Sequence, residues 1–285
     1  MEAVALDRIT KIYADGVFAM DDVRLKIDPG ELLVLLGPSG CGKTTILRII
    51  AGLEEPTSGD LWLGGQLVRG LPPRERNVAM VFQDGALYPH LTMRDNLGFP
   101  LVNARQEGKP AIDARVREVA YGLGIESALD HRPGLLSGGE RQRVAIGRAL
   151  IRGKPAVLLM DEPLASLDVA LRGGLRTEIG SLVRSLNITT VYVTHDQAEA
   201  LSLADRIAVL RNGRDEDIGT PARVYREPTT AFTAAFLSSP PISLTSATVW
   251  VVNGSRVIID FGHQRLDVRG STPAAKHLPI VTASV

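Results

Sequence analysis

Residues 37–44 read Gly-Pro-Ser-Gly-Cys-Gly-Lys-Thr, directly after the apolar run Leu32 to Leu36. Gly37, Gly40 and Gly42 permit a tight turn whose successive backbone N–H groups face one phosphate chain. A helix starting near Lys43 adds its unpaired N–H groups and its positive end. In such a loop Lys43 reaches the β- and γ-phosphates, and the Thr44 hydroxyl takes one Mg²⁺ position. The full eight-residue pattern after a buried strand points to a nucleoside triphosphate rather than to a bland strand–turn–helix. Cys41 lies next but one to Lys43, and positive surroundings favour a thiolate. No base partner for it is evident, so small size is its expected contribution.

A second group of residues lies downstream. The apolar strand Val157 to Met160 ends in Asp161-Glu162. Asp161 is placed to hold Mg²⁺ directly or through water, and Glu162 to polarise an attacking water. Alone the two acids would read equally well as strand-end caps; the upstream Lys43 loop favours the chemical role. Leu136 to Gln142 reads Leu-Ser-Gly-Gly-Glu-Arg-Gln. Ser137 and Glu140 have capping-box spacing, and two glycines leave a bare helix tip for an anion. Local physics supports an ordinary capped helix equally well. His195 follows the strand Thr189 to Val193, either reaching a site above the sheet or capping the helix from Gln197. Gln83 also follows an apolar strand and is a candidate sensor of the γ-phosphate or of Mg²⁺-bound water. Tyr13 ends a strand, where it either stacks on a base or simply packs.

These residues need a frame. Residues 3–13, 18–27, 31–36, 61–68 and 77–83 carry strand character, separated by turn signals such as Asp15-Gly16 and Pro29-Gly30. The helix after Lys43 places Ile46, Leu47, Ile49, Ile50 and Leu53 on one side. From Asp84 to about Gly134 helix pattern replaces strand pattern, which predicts an inserted helical lobe. Strands recur at Ala156–Met160, Thr189–Val193 and Ile207–Leu210 with helices between them. This alternation predicts an α/β core with a largely parallel sheet. After Phe236, Ser-Ser-Pro-Pro marks a boundary, and Thr248 to Asp260 predicts a hairpin turning at Asn253-Gly254.

The chain has 285 residues, with 32 Lys+Arg against 32 Asp+Glu. That balance argues against a bulk nucleic-acid or acidic-lipid binder. No apolar run reaches membrane-spanning length and the N-terminus lacks a signal-peptide core, so a soluble cytoplasmic protein is expected. One cysteine excludes an internal disulfide framework and a Cys-rich metal site.

Taken together, residues 1 to about 240 resemble the ATP-binding subunit of ABC transporters. The loop 37–44 is similar to its phosphate loop, Gln83 to the Q-loop glutamine and Leu136–Gln142 to the family signature. Met160-Asp161-Glu162 resembles the end of the second nucleotide motif, Ala165-Ser166-Leu167-Asp168 the D-loop, His195 the switch histidine and Tyr13 the adenine-stacking aromatic. Longer strings, among them Ala86 to Thr92 and Tyr192 to Ala200, resemble the maltose-type ATPases of bacterial carbohydrate importers.

The resemblance implies a P-loop NTPase core of ABC type over 1–237, with a helical subdomain at about 84–150. A partial β-rich regulatory segment of OB or TOBE type would follow over 238–285. ATP and Mg²⁺ are the implied cofactors. Catalytic roles fall to Lys43, Gln83, Glu162 and His195, and metal contacts to Thr44, Gln83 and Asp161. Nucleotide contacts fall to Tyr13, Ser39, Gly40, Cys41, Gly42, Lys43, Thr44, Thr45, Ser137, Gly138, Gly139, Glu140 and Asp168. The implied partners are a second ATPase subunit, two transmembrane permease subunits and an extracytoplasmic solute-binding protein, with no nucleic acid. The implied place is the cytoplasmic face of the membrane. The implied work is ATP-driven import of a disaccharide, an oligosaccharide or glycerol-3-phosphate. A non-sugar importer and a non-transport ABC ATPase are the alternatives.

Four features depart from the subgroup. Glu140 stands where Gln is usual, Ala165-Ser166 replaces the usual Ser-Asn, and Gly173-Gly174 is expected to interrupt a helix. The C-terminal β segment is shorter than a complete regulatory domain.

Overall fold

The computed structural model describes residues 2–83, 85–104, 108–165 and 169–238, with residues 248–253, 256–260, 262 and 265–269 beyond them. The chain opens with strands β1 (Val4–Ile12) and β2 (Phe18–Ile27), which pair antiparallel. Strand β3 (Leu32–Leu36) leads through the phosphate loop into helix α1 (Lys43–Ala51). Strands β4 (Ser58–Leu63) and β5 (Gln66–Leu67) complete an antiparallel sheet of order β2-β1-β4-β5.

The second sheet uses β6 (Val78–Val81). Helices α2 (Met93–Ala104), α3 (Lys109–Leu123) and α4 (Gly138–Leu150) then intervene. The sheet resumes with β7 (Val157–Asp161), and α5 (Val169–Leu186) carries the chain to β8 (Thr189–Thr194). Next come α6 (Gln197–Leu203), β9 (Arg206–Arg211), β10 (Arg214–Gly219), α7 (Pro221–Arg226) and α8 (Ala231–Leu237). The sheet order is β10-β9-β3-β8-β7-β6. The pairs β9–β3, β3–β8, β8–β7 and β7–β6 are parallel; only β10 runs antiparallel. The expected largely parallel sheet is therefore present. Strands β11 (Thr248–Asn253), β12 (Arg256–Asp260) and β13 (Arg265–Arg269) form a separate antiparallel sheet that includes the expected hairpin.

Strand alternation divides the core. In β3, Leu33 and Leu35 face one apolar cluster, while Leu32, Val34 and Leu36 face another. The first cluster holds α1 between the two sheets through Ile46, Leu47, Ile49 and Ile50. The second packs α5 and α6 on the opposite face through Ile179, Val183, Ala200 and Leu203. A third cluster joins α2, α3 and α4 through Leu97, Val116, Ala120 and Val144. Its neighbours on α4, Ala145 and Ile146, belong to the second cluster, so α4 ties the helical lobe to the sheet.

One expectation changes, and one strand is new. Helix α5 runs unbroken through Gly173 and Gly174, both exposed and with open space around them. The segment Arg214–Gly219, too polar to read as a strand, forms the sheet edge by pairing with β9.

Candidate functional site

Register brings the chemical residues to one edge. Leu36 pairs with Thr194 and Val209, Asp161 with Val193, and Val81 with Met160. The residues that follow these parallel strands, Gly37, His195, Glu162 and Gln83, therefore leave the sheet at its carboxyl end, where α/β proteins build sites.

The 37–44 loop packs closely against neighbouring backbone. Gly42 has φ +105°, and a Cβ there would lie 2.4 Å from the Ala19 carbonyl oxygen. A Cβ at Gly37 would lie 2.4 Å from the Leu210 carbonyl oxygen. Gly213 N–H donates to the Cys41 carbonyl (3.1 Å), so the β9–β10 turn also supports the loop. Helix α1 has no side-chain cap, which leaves its first-turn amides for an anion. Ser39 and Gly40 are exposed, and Gly42 and Lys43 are buried. Lys43 Nζ donates to the Gly37 and Pro38 carbonyls at 2.7 and 2.9 Å.

Cys41 corrects an expectation. Its side chain is buried, and that burial raises the thiol pKa, outweighing the lowering effect of Lys43 and the loop amides. It is a small packing residue beneath the loop rather than a favoured thiolate.

Thr44 Oγ1 donates to Asp161 Oδ1 at 3.1 Å. Burial, with Glu162 adding to it, raises the Asp161 carboxyl pKa despite the Thr44 hydrogen bond. A hydroxyl beside a partly desolvated carboxylate is a hard-oxygen pair suited to Mg²⁺, which takes few protein ligands and completes its shell with water and phosphate. Among the described residues no group of three or more His, Cys, Asp or Glu has metal-binding placement.

Glu162 has φ +43°, a strained conformation for a non-glycine residue, and its N–H donates to Val193 O at 3.0 Å. Its Oε2 lies 3.0 Å from His195 Nδ1. A carboxylate only accepts, so Nδ1 carries the hydrogen in this contact. Tyr13 Oη lies 3.5 Å from Thr45 Oγ1 in the first turn of α1. Gln83 is exposed in the turn after β6, one strand away from Asp161.

At the start of α4 the capping box is complete. Ser137 Oγ accepts from Glu140 N–H, and Glu140 Oε2 accepts from Ser137 N–H at 2.9 Å. Bonds from Ser137 hold the Glu140 carboxyl below the usual range. Two amides of the tip are thus occupied internally, while those of Gly138 and Gly139 have no intrahelical partner. Asp168 lies outside the described residues, as do Ser166 and Leu167. Lys11, which the motif pattern passed over, lies against Tyr13, with its Nζ 5.1 Å from the ring centroid.

A family model described as ABC transporter matches residues 20–165, just over half of the chain. The chain belongs to the ABC transporter ATP-binding family. It is 48% identical over 272 residues to the trehalose/maltose import ATP-binding protein MalK of Thermococcus litoralis, covering 93% of this chain and 71% of that one. It is 52% identical over 244 residues to the sn-glycerol-3-phosphate import ATP-binding protein UgpC of Rhizobium meliloti, covering 86% and 69%. Among solved structures, an ATP-binding cassette in a dimeric post-hydrolysis state bound to ADP and Pi aligns at a TM-score of 0.67 and 33% identity. The alignment covers 76% of this chain and 98% of that one. This ABC ATPase has no described helix long and apolar enough to cross a membrane.

Proposed function

We propose that this chain hydrolyses ATP to drive import of a sugar or glycerol-phosphate-class solute through a membrane transporter. The observation that carries the hydrolytic part is the continuous contact from Thr44 to Asp161, and from the adjoining Glu162 to His195, beside the Lys43 loop. In this assignment Lys43 and the loop amides bind the β- and γ-phosphates, with Ser39 to Thr45 forming the cradle. Thr44 and Asp161 hold Mg²⁺, with Gln83 as a further contact. When bound, Mg²⁺ neutralises charge on the phosphate oxygens. Glu162 accepts a hydrogen bond from water and aims it at the γ-phosphorus, while His195 fixes the Glu162 carboxylate. Water's oxygen bonds to phosphorus as the bond to the ADP oxygen breaks. Tyr13 stacks on the base.

The solute class rests on the printed names of the relatives, which also include a sulfoquinovosyl glycerol transport protein of Agrobacterium fabrum at 49% identity. The proposed division is an ATPase domain over 1–237, with its helical lobe at about 84–150, and a β-rich segment after it. Two copies would face each other head to tail, Ser137, Gly138, Gly139 and Glu140 of one closing over the nucleotide of the other. Asp168 would act across the same interface. Permease subunits and a solute-binding protein complete the proposed assembly at the cytoplasmic membrane face.

The test is proteoliposomes carrying the reconstituted complex. Wild type should couple ATP turnover to uptake of one among maltose, trehalose, glycerol-3-phosphate and sulfoquinovosyl glycerol. Glu162→Gln should keep ATP binding and lose turnover about 100-fold or more. Wild-type turnover in that variant would refute the catalytic assignment, and uptake of none of the four would refute the solute class.

A further inference from the structure

Beside Tyr13 lies a cation that the proposed hydrolytic mechanism does not use. Lys11 Nζ lies 5.1 Å from the centroid of the Tyr13 ring, within the range at which an ammonium is attracted to an aromatic face. The ammonium is fixed there. It donates to Glu54 Oε1 at 2.5 Å and to the Glu55 carbonyl at 2.8 Å, and its side chain is only 13% exposed. We propose that Lys11 is a positioning residue for the nucleobase, holding the Tyr13 ring by one face so that the other face is presented for stacking. The proposal rests on the assignment of Tyr13 as the base-stacking residue.

The surroundings explain why this lysine is suited to that task. Tyr13 meets Thr45, in the first turn of α1, through its hydroxyl. Glu54 and Glu55 lie just beyond the last turn of the same helix, with Glu54 N–H donating to Arg48 O. Arg76 closes that end, donating to Ile49 O at 2.6 Å and pairing with Glu55 at 3.4 Å. The ring is therefore referenced to both ends of the helix whose N-terminus forms the phosphate cradle. That arrangement sets the spacing between base platform and phosphate loop before any nucleotide arrives. A ring already held in place loses less freedom when a base stacks on it.

The experiment compares MgATP with magnesium tripolyphosphate, which has the phosphates and no base, on the purified full chain. Lys11→Met keeps most of the stem and removes the charge. It should weaken ATP binding about three- to tenfold, raise KM in step, and leave both kcat and tripolyphosphate binding unchanged. Lys11→Arg should recover most of the loss. In a Tyr13→Ala background, Lys11→Met should add nothing. If Lys11→Met binds ATP like wild type while Tyr13→Ala binds weakly, the proposal is overturned and the stacking assignment stands. If Tyr13→Ala has no effect, the stacking assignment falls and this proposal with it. Equal loss for ATP and tripolyphosphate would overturn it too, placing the lysine's effect on the phosphate cradle. Should Lys11→Met fold poorly with Glu54 stranded, Lys11→Met/Glu54→Gln removes the unpaired carboxylate and the same comparisons apply.

Discussion

Burial acts in the same direction on two side chains, Cys41 in the 37–44 loop and Glu199 in α6. The Cys41 thiol lies under the phosphate loop, and its pKa is raised chiefly by desolvation. Its alkylation rate should therefore climb about tenfold per pH unit from 7 to 8.5, without the plateau near neutrality that an activated thiolate shows. A rate profile with a small reagent checks this; a plateau below pH 8 contradicts it. Glu199, four residues after His195, accepts from Tyr192 Oη at 3.0 Å and is only 3% exposed. Burial raises its carboxyl pKa, the Thr194 and Tyr192 hydrogen bonds and Arg172 oppose this, and Asp196 reinforces it. Between the ordinary glutamate range and that raised value the folded chain binds more protons than the unfolded one. Stability therefore falls as pH rises through the window, and the penalty persists above it. Glu199→Gln should gain in Tm relative to wild type between pH 4 and 7, with the difference closing at the acid end. Thermal melts at several pH values test the sign. At the candidate site the 37–44 loop was legible from spacing alone, whereas the acidic pair took its chemical reading from the loop upstream and the Ser137 box took its own only from the family resemblance. The Cys41 environment was not, because its neighbours along the chain favour a thiolate and only three-dimensional packing adds the larger opposing effect.

Helices show the same substitution acting with opposite sign. Gly147 of α4 sits where α2 and α3 converge. A Cβ there would lie 2.7 Å from both Leu97 Cδ2 and Leu123 Cδ1. Alanine would gain about 1 kcal/mol of helix propensity but overpack the lobe at a cost of about 1–3 kcal/mol. Gly147→Ala should therefore destabilise. Gly173 and Gly174 of α5 meet nothing within 4 Å, so each change to alanine should stabilise by about 0.5–1 kcal/mol. Urea unfolding of the three variants tests both directions. The elements themselves were readable wherever their apolar period was strong. Strands β3 and β7 announced themselves as apolar runs and β8 as a β-branched, aromatic one, all buried on both faces. Strand β10 did not, because Arg-Asp-Glu-Asp-Ile-Gly has edge-strand polarity and owes its form to β9. The glycine pair misled in the other direction: two unfavourable propensities are small beside the packing of Ile179 and Val183 along the same helix.

At the scale of the molecule, the head-to-tail proposal makes a prediction that no single chain can meet. Lys43→Ala and Ser137→Arg chains should each fail alone to dimerise with ATP. Mixed, they form heterodimers in which one site joins the intact loop of one chain to the intact Ser137 of the other. Nucleotide-driven dimerisation and part of the ATPase activity should return on mixing, measured by sedimentation and turnover. No recovery would contradict the shared site. One feature of the loop bears on the working cycle. Lys43 donates to the Gly37 and Pro38 carbonyls, and Thr44 to Asp161. In the proposed site, phosphate and metal would take these groups by exchanging partners with the protein, and only the difference would contribute to affinity. The same contacts stand ready to re-form when product departs. On the proposed mechanism, such an exchange would hold down the net gain from binding, which favours repeated turnover over storage.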